Sequence, residues 1–406
     1  MAKLICSKCM EVFLDAEQSR CSGCGGDCYD FSNNDDFLQK EAARVVEERK
    51  KAGMEGLVRG LNCVIINTEP DRQKAAVEEL LAFTGLEFRD AFEDREFTTC
   101  VLKAAGQVHR LRSGRPISRA PKRPGCRTDF LIRARKIPTP FESVAAFPKA
   151  RGLPNTRLET LVFEAVDLQR YVSIQQRRGV NFLTDDIVRT DGHSFIQTIP
   201  STFTGVSIGF IEWHGPVRDY APHGAARLDQ SFLKPANPAL ASIKELDHAA
   251  TRLEAKDRDP AIIEFMNLTN YDFEFSIYVK SFNSITNVAR LSRSDFAMVF
   301  TSGIHPYVDD LTSGPTEKFV HNYGKRVHHL AFRTERIEET FDSLKCGGME
   351  FLIDLVGSEA EGLKQTFSVP SRNTLLVNEY IYRYGDFDGF FTKSNVELLT
   401  AATDKQ

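Results

Sequence analysis

One plan recurs four times along this chain: an apolar strand, an amphipathic helix, a turn, then a second strand carrying a phenylalanine. The first copy opens at Asn62 (NCVIINTE), continues as DRQKAAVEELLAFT and reaches Gly85 to Phe88. The second opens at Leu158 (LETLVFEAV), continues as LQRYVSIQQRR and reaches Gly179 to Phe182. The third opens at Glu245 (ELDHAATRL), continues as DPAIIEFMNLT and reaches Tyr271 to Phe275. The fourth opens at Val327 (VHHLAFRT), continues as ERIEETFDSLKCG and reaches Gly348 to Phe351. Starts at 62, 158, 245 and 327 are 96, 87 and 82 residues apart. Alternating, β-branched stretches follow, such as Ser276–Val279 and Thr374–Ile381. The unit reads as βαβββ. A repeated supersecondary unit buries its apolar face against a neighbouring copy, so the repeat speaks directly to fold.

Composition narrows the function classes. With 52 basic and 56 acidic residues the net charge is −4, which argues against nucleic acid or an anionic membrane as the main partner. No apolar run approaches the roughly 20 residues that span a bilayer, and the N-terminus carries no secretory pattern. Thirty Phe against a single Trp predict a Phe-rich core or a Phe-lined pocket. Scattered cysteines (Cys63, Cys100, Cys126, Cys346) read as reduced thiols, so a cytoplasmic location is expected.

The other five cysteines cluster. Cys6-x-x-Cys9, eleven residues, then Cys21-x-x-Cys24 is a two-knuckle pattern that predicts a structural Zn(II), with Cys28 a spare or an alternative ligand. Paired Cys-x-x-Cys turns each present two thiolates, and together they complete a tetrahedron. The boundaries expected are 1–32 for this knuckle, 33–57 for a connector helix with a solvated charged face, 58–225 for an N-terminal half, 226–243 for a Pro- and Ala-rich linker, and 244–400 for a C-terminal half. Residues 110–136 hold ten Lys or Arg and one acid, Asp129, and read as a basic loop.

Side chains two apart share a strand face, so polar residues on apolar faces can be picked out. His248 would share a face with Leu246 and Ala250, His329 with Val327 and Ala331, and Glu379 with Val377 and Ile381. An ionised carboxylate on a buried face is costly unless paired or metal-bound. Two imidazoles and one carboxylate form a facial triad, which leaves three positions open on a divalent metal and suits non-haem Fe(II). By the same alternation His328 points the opposite way, with Leu330 and Phe332. His305 and His321 lie in turn-like, solvated contexts. Aligning the repeats on their glycines puts Ile66 and Thr160 where His329 sits, so the N-terminal half is expected to be metal-free and structural.

Four stretches now carry a resemblance: Leu246-Asp-His248, Asn322 through Phe332, Gln365-Thr-Phe367 and Leu375 through Ile381. With the closing Phe390 through Leu398 they resemble the vicinal-oxygen-chelate superfamily, and within it 4-hydroxyphenylpyruvate dioxygenase and its relatives. The resemblance implies an α+β fold of four βαβββ modules paired into two open-barrel domains, here preceded by the cysteine zinc knuckle. It implies Fe(II) held by His248, His329 and Glu379, with Gln365, Phe367, Phe391 and Asn395 at pocket positions, beside His328, and a C-terminal helix capping the pocket. The expected activity is an Fe(II)-dependent dioxygenase taking a 2-oxo acid or related chelating substrate with O2, and self-association into a homo-oligomer is in keeping with it. This sequence departs from the pattern at His328, where the family usually has Gln, at Val288 and near Ile304, so 4-hydroxyphenylpyruvate itself is not the expected substrate. The readings weighed against this one are an extradiol-type dioxygenase, a metal-dependent isomerase or lyase of the same superfamily, and a non-enzymatic binding protein using the zinc knuckle.

Overall fold

In the computed structural model, the described residues are 35–104, 128–141, 146–385, 387 and 389–406, with 3–6, 12–14, 20–23, 25 and 28–30 near the start. Strands β1 (Lys3–Cys6), β2 (Val12–Leu14) and β3 (Cys28–Asp30) make a small antiparallel sheet in the order β2-β1-β3. Cys9 and Cys24, and the side chains of Cys6 and Cys28, lie outside the described residues, so the four-cysteine zinc site expected there does too. The same holds for 110–127 of the basic segment.

Helix α1 (Asp36–Ala52) buries Phe37, Leu38, Ala42 and Val45 and ends at Gly53, whose φ of 74° lets its N–H reach back to the carbonyl of Lys50. Its charged face is not all solvated. Arg49 is 2% exposed and donates to the carbonyls of Met266 (3.2 Å), Thr269 (3.2 Å) and Tyr271 (2.7 Å). The helix is bolted to the C-terminal half.

The four modules follow in order. Module one is β4 (Val58–Thr68), α2 (Gln73–Phe83), β5 (Leu86–Glu93), β6 (Phe97–Ala104) and β7 (Asp129–Arg135). Module two is β8 (Arg157–Ala165), α3 (Leu168–Arg177), β9 (Val188–Arg189), β10 (His193–Gln197) and β11 (Ser207–Trp213). The short β12 (Ala226–Arg227) pairs back onto β5. Module three is β13 (Ile243–Leu253), α4 (Arg258–Leu268), β14 (Asp272–Val279), β15 (Ser284–Arg290) and β16 (Ala297–Gly303). After α5 (Pro315–Tyr323) comes module four: β17 (Arg326–Thr334), α6 (Ile337–Cys346), β18 (Val356–Ser358), β19 (Leu363–Phe367) and β20 (Val377–Arg383). Helix α7 (Lys393–Ala402) follows, its N–H at Asn395 capped by Thr392.

Modules join pairwise through their opening strands, β4 against β8 and β13 against β17, both antiparallel. The result is two curled sheets, β12-β5-β6-β7-β4-β8-β11-β10-β9 and β14-β15-β16-β13-β17-β20-β19-β18. The largest apolar cluster joins the halves through α2, α3, α4 and the backs of both sheets. Phe130 stacks on Phe332 across it, and Tyr380 donates to the Phe83 carbonyl at 2.7 Å. Smaller clusters fill the sheet interiors.

The halves match residue for residue. In β4–β8 and β13–β17 the same three register shifts occur at the same places. Cys63 opposes Val162 as His248 opposes Ala331, and Ile65 opposes Thr160 as Ala250 opposes His329. Carried across to the third strand, Gly209 stands where Glu379 stands. A Cβ on Gly209 would come within 3.0 Å of Thr160 and 3.1 Å of Phe195. The N-terminal barrel therefore presents Cys63, Thr160 and Gly209 in the places of His248, His329 and Glu379. Thr160 keeps the equivalence read from sequence; Ile66 does not, because module one corresponds to module three.

Candidate metal centre

Two β-bulges shape the site. On β13, Leu246 faces Phe332 and His248 faces Ala331, so Asp247 is an extra residue. On β17, Val327 faces Thr251 and His329 faces Ala250, so His328 is extra. A bulge sets two residues against one and breaks the period-two alternation. That is why Leu246 and Val327 turn into the main core while Ala250 and Ala331 belong to the barrel interior. It also corrects the orientation expected for His328: its side chain does not turn away with Leu330 and Phe332 but sits beside His329, with the two Nδ1 atoms 2.8 Å apart.

From β13, β17 and β20, one ligand atom each of His248, His329 and Glu379 lies within 4.8 Å of the others. His248 Nε2 is 3.1 Å, and His329 Nε2 3.2 Å, from the same Glu379 oxygen. His248, His329 and Glu379 are 0%, 9% and 1% exposed. Yet neither Nε2 atom, nor the other Glu379 oxygen, has a hydrogen-bond partner. Buried polar atoms are ordinarily satisfied. Three converging lone-pair donors without partners fit a divalent ion bound between them.

The far nitrogen of each ring is occupied, which fixes its orientation. His248 Nδ1 donates to Asp247 Oδ1 at 2.8 Å, and Arg383 holds both oxygens of that carboxylate. Gln406 Oε1 accepts from His328 Nε2 at 2.9 Å, so His328 Nδ1 is the acceptor for the N–H of His329 Nδ1. The chain of bonds leaves His329 Nε2 unprotonated toward Glu379. Burial would depress His248, but the Glu379 and Asp247 carboxylates raise it to about 9. Burial, then the neighbouring His328 and His248 rings, hold His329 well below its ordinary value. Burial and Arg252 do the same to His328. The two carboxylates thus favour positive charge at His248, which a divalent metal bound there would supply.

No family model and no curated protein matches the sequence. Among solved structures, a triple mutant of 4-hydroxymandelate synthase from Streptomyces coelicolor superposes with a TM-score of 0.59 at 18% identity, covering 86% of this chain and 98% of that one. A xylose isomerase-like TIM barrel/4-hydroxyphenylpyruvate dioxygenase fusion protein gives 0.58 at 13% identity, over 97% of this chain and 61% of its own length. The chain has the vicinal-oxygen-chelate fold, of the kind seen in 4-hydroxyphenylpyruvate dioxygenase. Identities this low carry the fold alone.

Two of the triad, His329 and Glu379, border a cavity of about 50 Å³. Gln365, Phe367, Phe391 and His328 line it. Asn395 does not; it is fully buried on α7 against Gly357. Helix α7 adds Val396, Leu399 and Thr400 to the wall. Phe367 lies 4.8 Å from the His329 ring, and Phe390 and Phe391 lie 5.4 and 5.2 Å from His248. Gln365 is fully buried with neither amide atom hydrogen-bonded. Asn287 faces away from the cavity, accepting from Arg258 and Ser276, and Thr286 takes the lining position instead. His321 is exposed, as expected, but helical, stacked on Tyr307 at the end of α5. Sequence reasoning missed Arg252, Thr286, Thr301 and Thr400 in the lining, and the Asp247–Arg383 brace. Only Asp247 had a local signal, its place next to His248. Among the described residues no helix is long and apolar enough to cross a membrane.

Proposed function

We propose that this chain is a non-haem Fe(II)-dependent dioxygenase acting on a small 2-oxo acid or related chelating substrate. The observation that carries the reading is the convergence of His248, His329 and Glu379, buried, with their inward atoms unpartnered. Bound there, Fe(II) would supply the activation of O2, with three coordination positions left for oxygen donors. The protein's own contributions follow from the geometry. Asp247 and His328 hold the two imidazoles in the tautomers that present Nε2 inward. Phe367, Phe390 and Phe391 exclude water from the centre, and α7 closes the cavity over it. Gln365, with both amide atoms free, is placed to hold a polar group of the substrate. The dioxygenase and synthase named among the structural neighbours support the class of reaction.

The test is anaerobic purification, metal quantification and O2 uptake against a panel of 2-oxo acids and catechols. One iron per chain with oxygen consumption driven by a 2-oxo acid is expected. Tight Mn, Ni or Zn without oxygen consumption would point to an isomerase or lyase, and uptake with catechols alone to ring cleavage. Glu379→Ala should lose the iron and keep its circular-dichroism spectrum; an iron-loaded, active Glu379→Ala protein would overturn the assignment.

A further inference from the structure

Arg252 lines the same cavity four residues past His248 on β13, about 13 Å along the strand. It is 4% exposed. Its guanidinium donates to Thr403 Oγ1 at 2.8 Å and, at 3.4 Å, to the Pro315 carbonyl, and it lies 4.8 Å from the Phe319 ring centroid. Among the described residues no carboxylate is within ion-pair distance of it. Several other arginines out of solvent meet an acid: Arg49 meets Asp272, Arg258 meets Asp35 and Asp259, Arg290 meets Glu274, and the part-buried Arg135 and Arg383 meet Glu159 and Asp247. Arg326 also lacks an acid, but it donates to the Thr156 carbonyl and does not line the cavity.

Strand architecture does not demand the arginine. At the matching place in the N-terminal half stands Asn67, which donates to the Asn155 carbonyl. A buried cation without a counter-charge costs several kcal/mol, roughly, and a planar guanidinium is shaped to bind a carboxylate through two parallel bonds. Burial with nothing to offset it lowers Arg252 to about 9. The wall around it is mixed: Thr286, Thr301, Thr400 and Gln365 supply polar groups among apolar residues such as Val299, Phe367 and Leu399.

We propose that Arg252 clamps a second anionic group of the substrate, so that the site takes a short 2-oxo dicarboxylic acid. One end of the acid would face the triad and the other the guanidinium. This rests on the reading of the triad as a centre that chelates a 2-oxo acid.

The test is isothermal titration calorimetry under argon on iron-loaded protein. It compares 2-oxoglutarate with 2-oxopentanoate, acids of equal length that differ by one carboxylate. The native protein should bind the diacid at least tenfold more tightly. Arg252→Gln should bring the two within about twofold while leaving 2-oxopentanoate affinity unchanged, and Arg252→Lys should keep part of the preference. A purely structural Arg252 would weaken both acids together, and that result overturns the clamp. So does equal affinity in the native protein, which needs no variant to fold, or a preference that survives in Arg252→Gln. Iron is quantified on the same samples. Iron bound without diacid preference defeats the clamp and spares the metal centre; diacid preference without iron defeats the oxygenase reading and spares the clamp.

Discussion

Asp247 touches no substrate and no metal position, yet the geometry makes it the residue that aims His248. Its Oδ1 accepts from His248 Nδ1 at 2.8 Å, and its carboxylate is gripped by Arg383, itself 4.7 Å from the Phe390 ring centroid. Asp247→Asn keeps the shape but replaces the charged acceptor with an amide. Losing such an outer partner of a metal-binding histidine costs about 10–100-fold in metal affinity, or ~1.4–2.7 kcal/mol. The same change also breaks the Asp247–Arg383 pair, so affinity and stability must be separated. Arg383→Met breaks the pair while leaving His248 its acceptor. Equilibrium dialysis of Fe(II) under argon, alongside urea denaturation, makes the comparison. Asp247→Asn should lose iron affinity in that range, and Arg383→Met should lose stability with less than a threefold change in affinity. Native affinity in Asp247→Asn, or equal losses in both variants, would refute the orienting role.

Further expectations follow from single contacts. His328→Leu removes the acceptor that fixes the tautomer of His329, and iron affinity measured by dialysis should drop about tenfold with the apo fold intact. Gly357 sits at φ 89°, and a Cβ there would come within 2.1 Å of the Leu363 carbonyl and 2.6 Å of Asn395; Gly357→Ala should lose ~2–4 kcal/mol in urea denaturation. Arg49→Met strands three carbonyls of module three and should cost ~3–5 kcal/mol, read by the same method. Burial pushes the Cys63 thiol up to about 12, whereas Cys346 is exposed; peptide mapping after iodoacetamide treatment of the native protein at pH 8 should find Cys346 alkylated and Cys63 untouched.

The sequence by itself determined the count and order of the modules, because apolar periodicity is a local property that each strand and helix carries in its own residues. It also exposed His248, His329 and Glu379, since a histidine or glutamate among strand apolars stands out wherever the partner strands lie. Tertiary structure decided the rest. Which way His328 faces depended on a bulge, and a bulge is set by how two strands 80 residues apart come into register. Asp247 met Arg383 from 136 positions away, and Arg252 was left without a carboxylate by the packing of α5 and the residues after α7. Such facts concern which groups meet across the fold, and no periodicity within one strand can encode them.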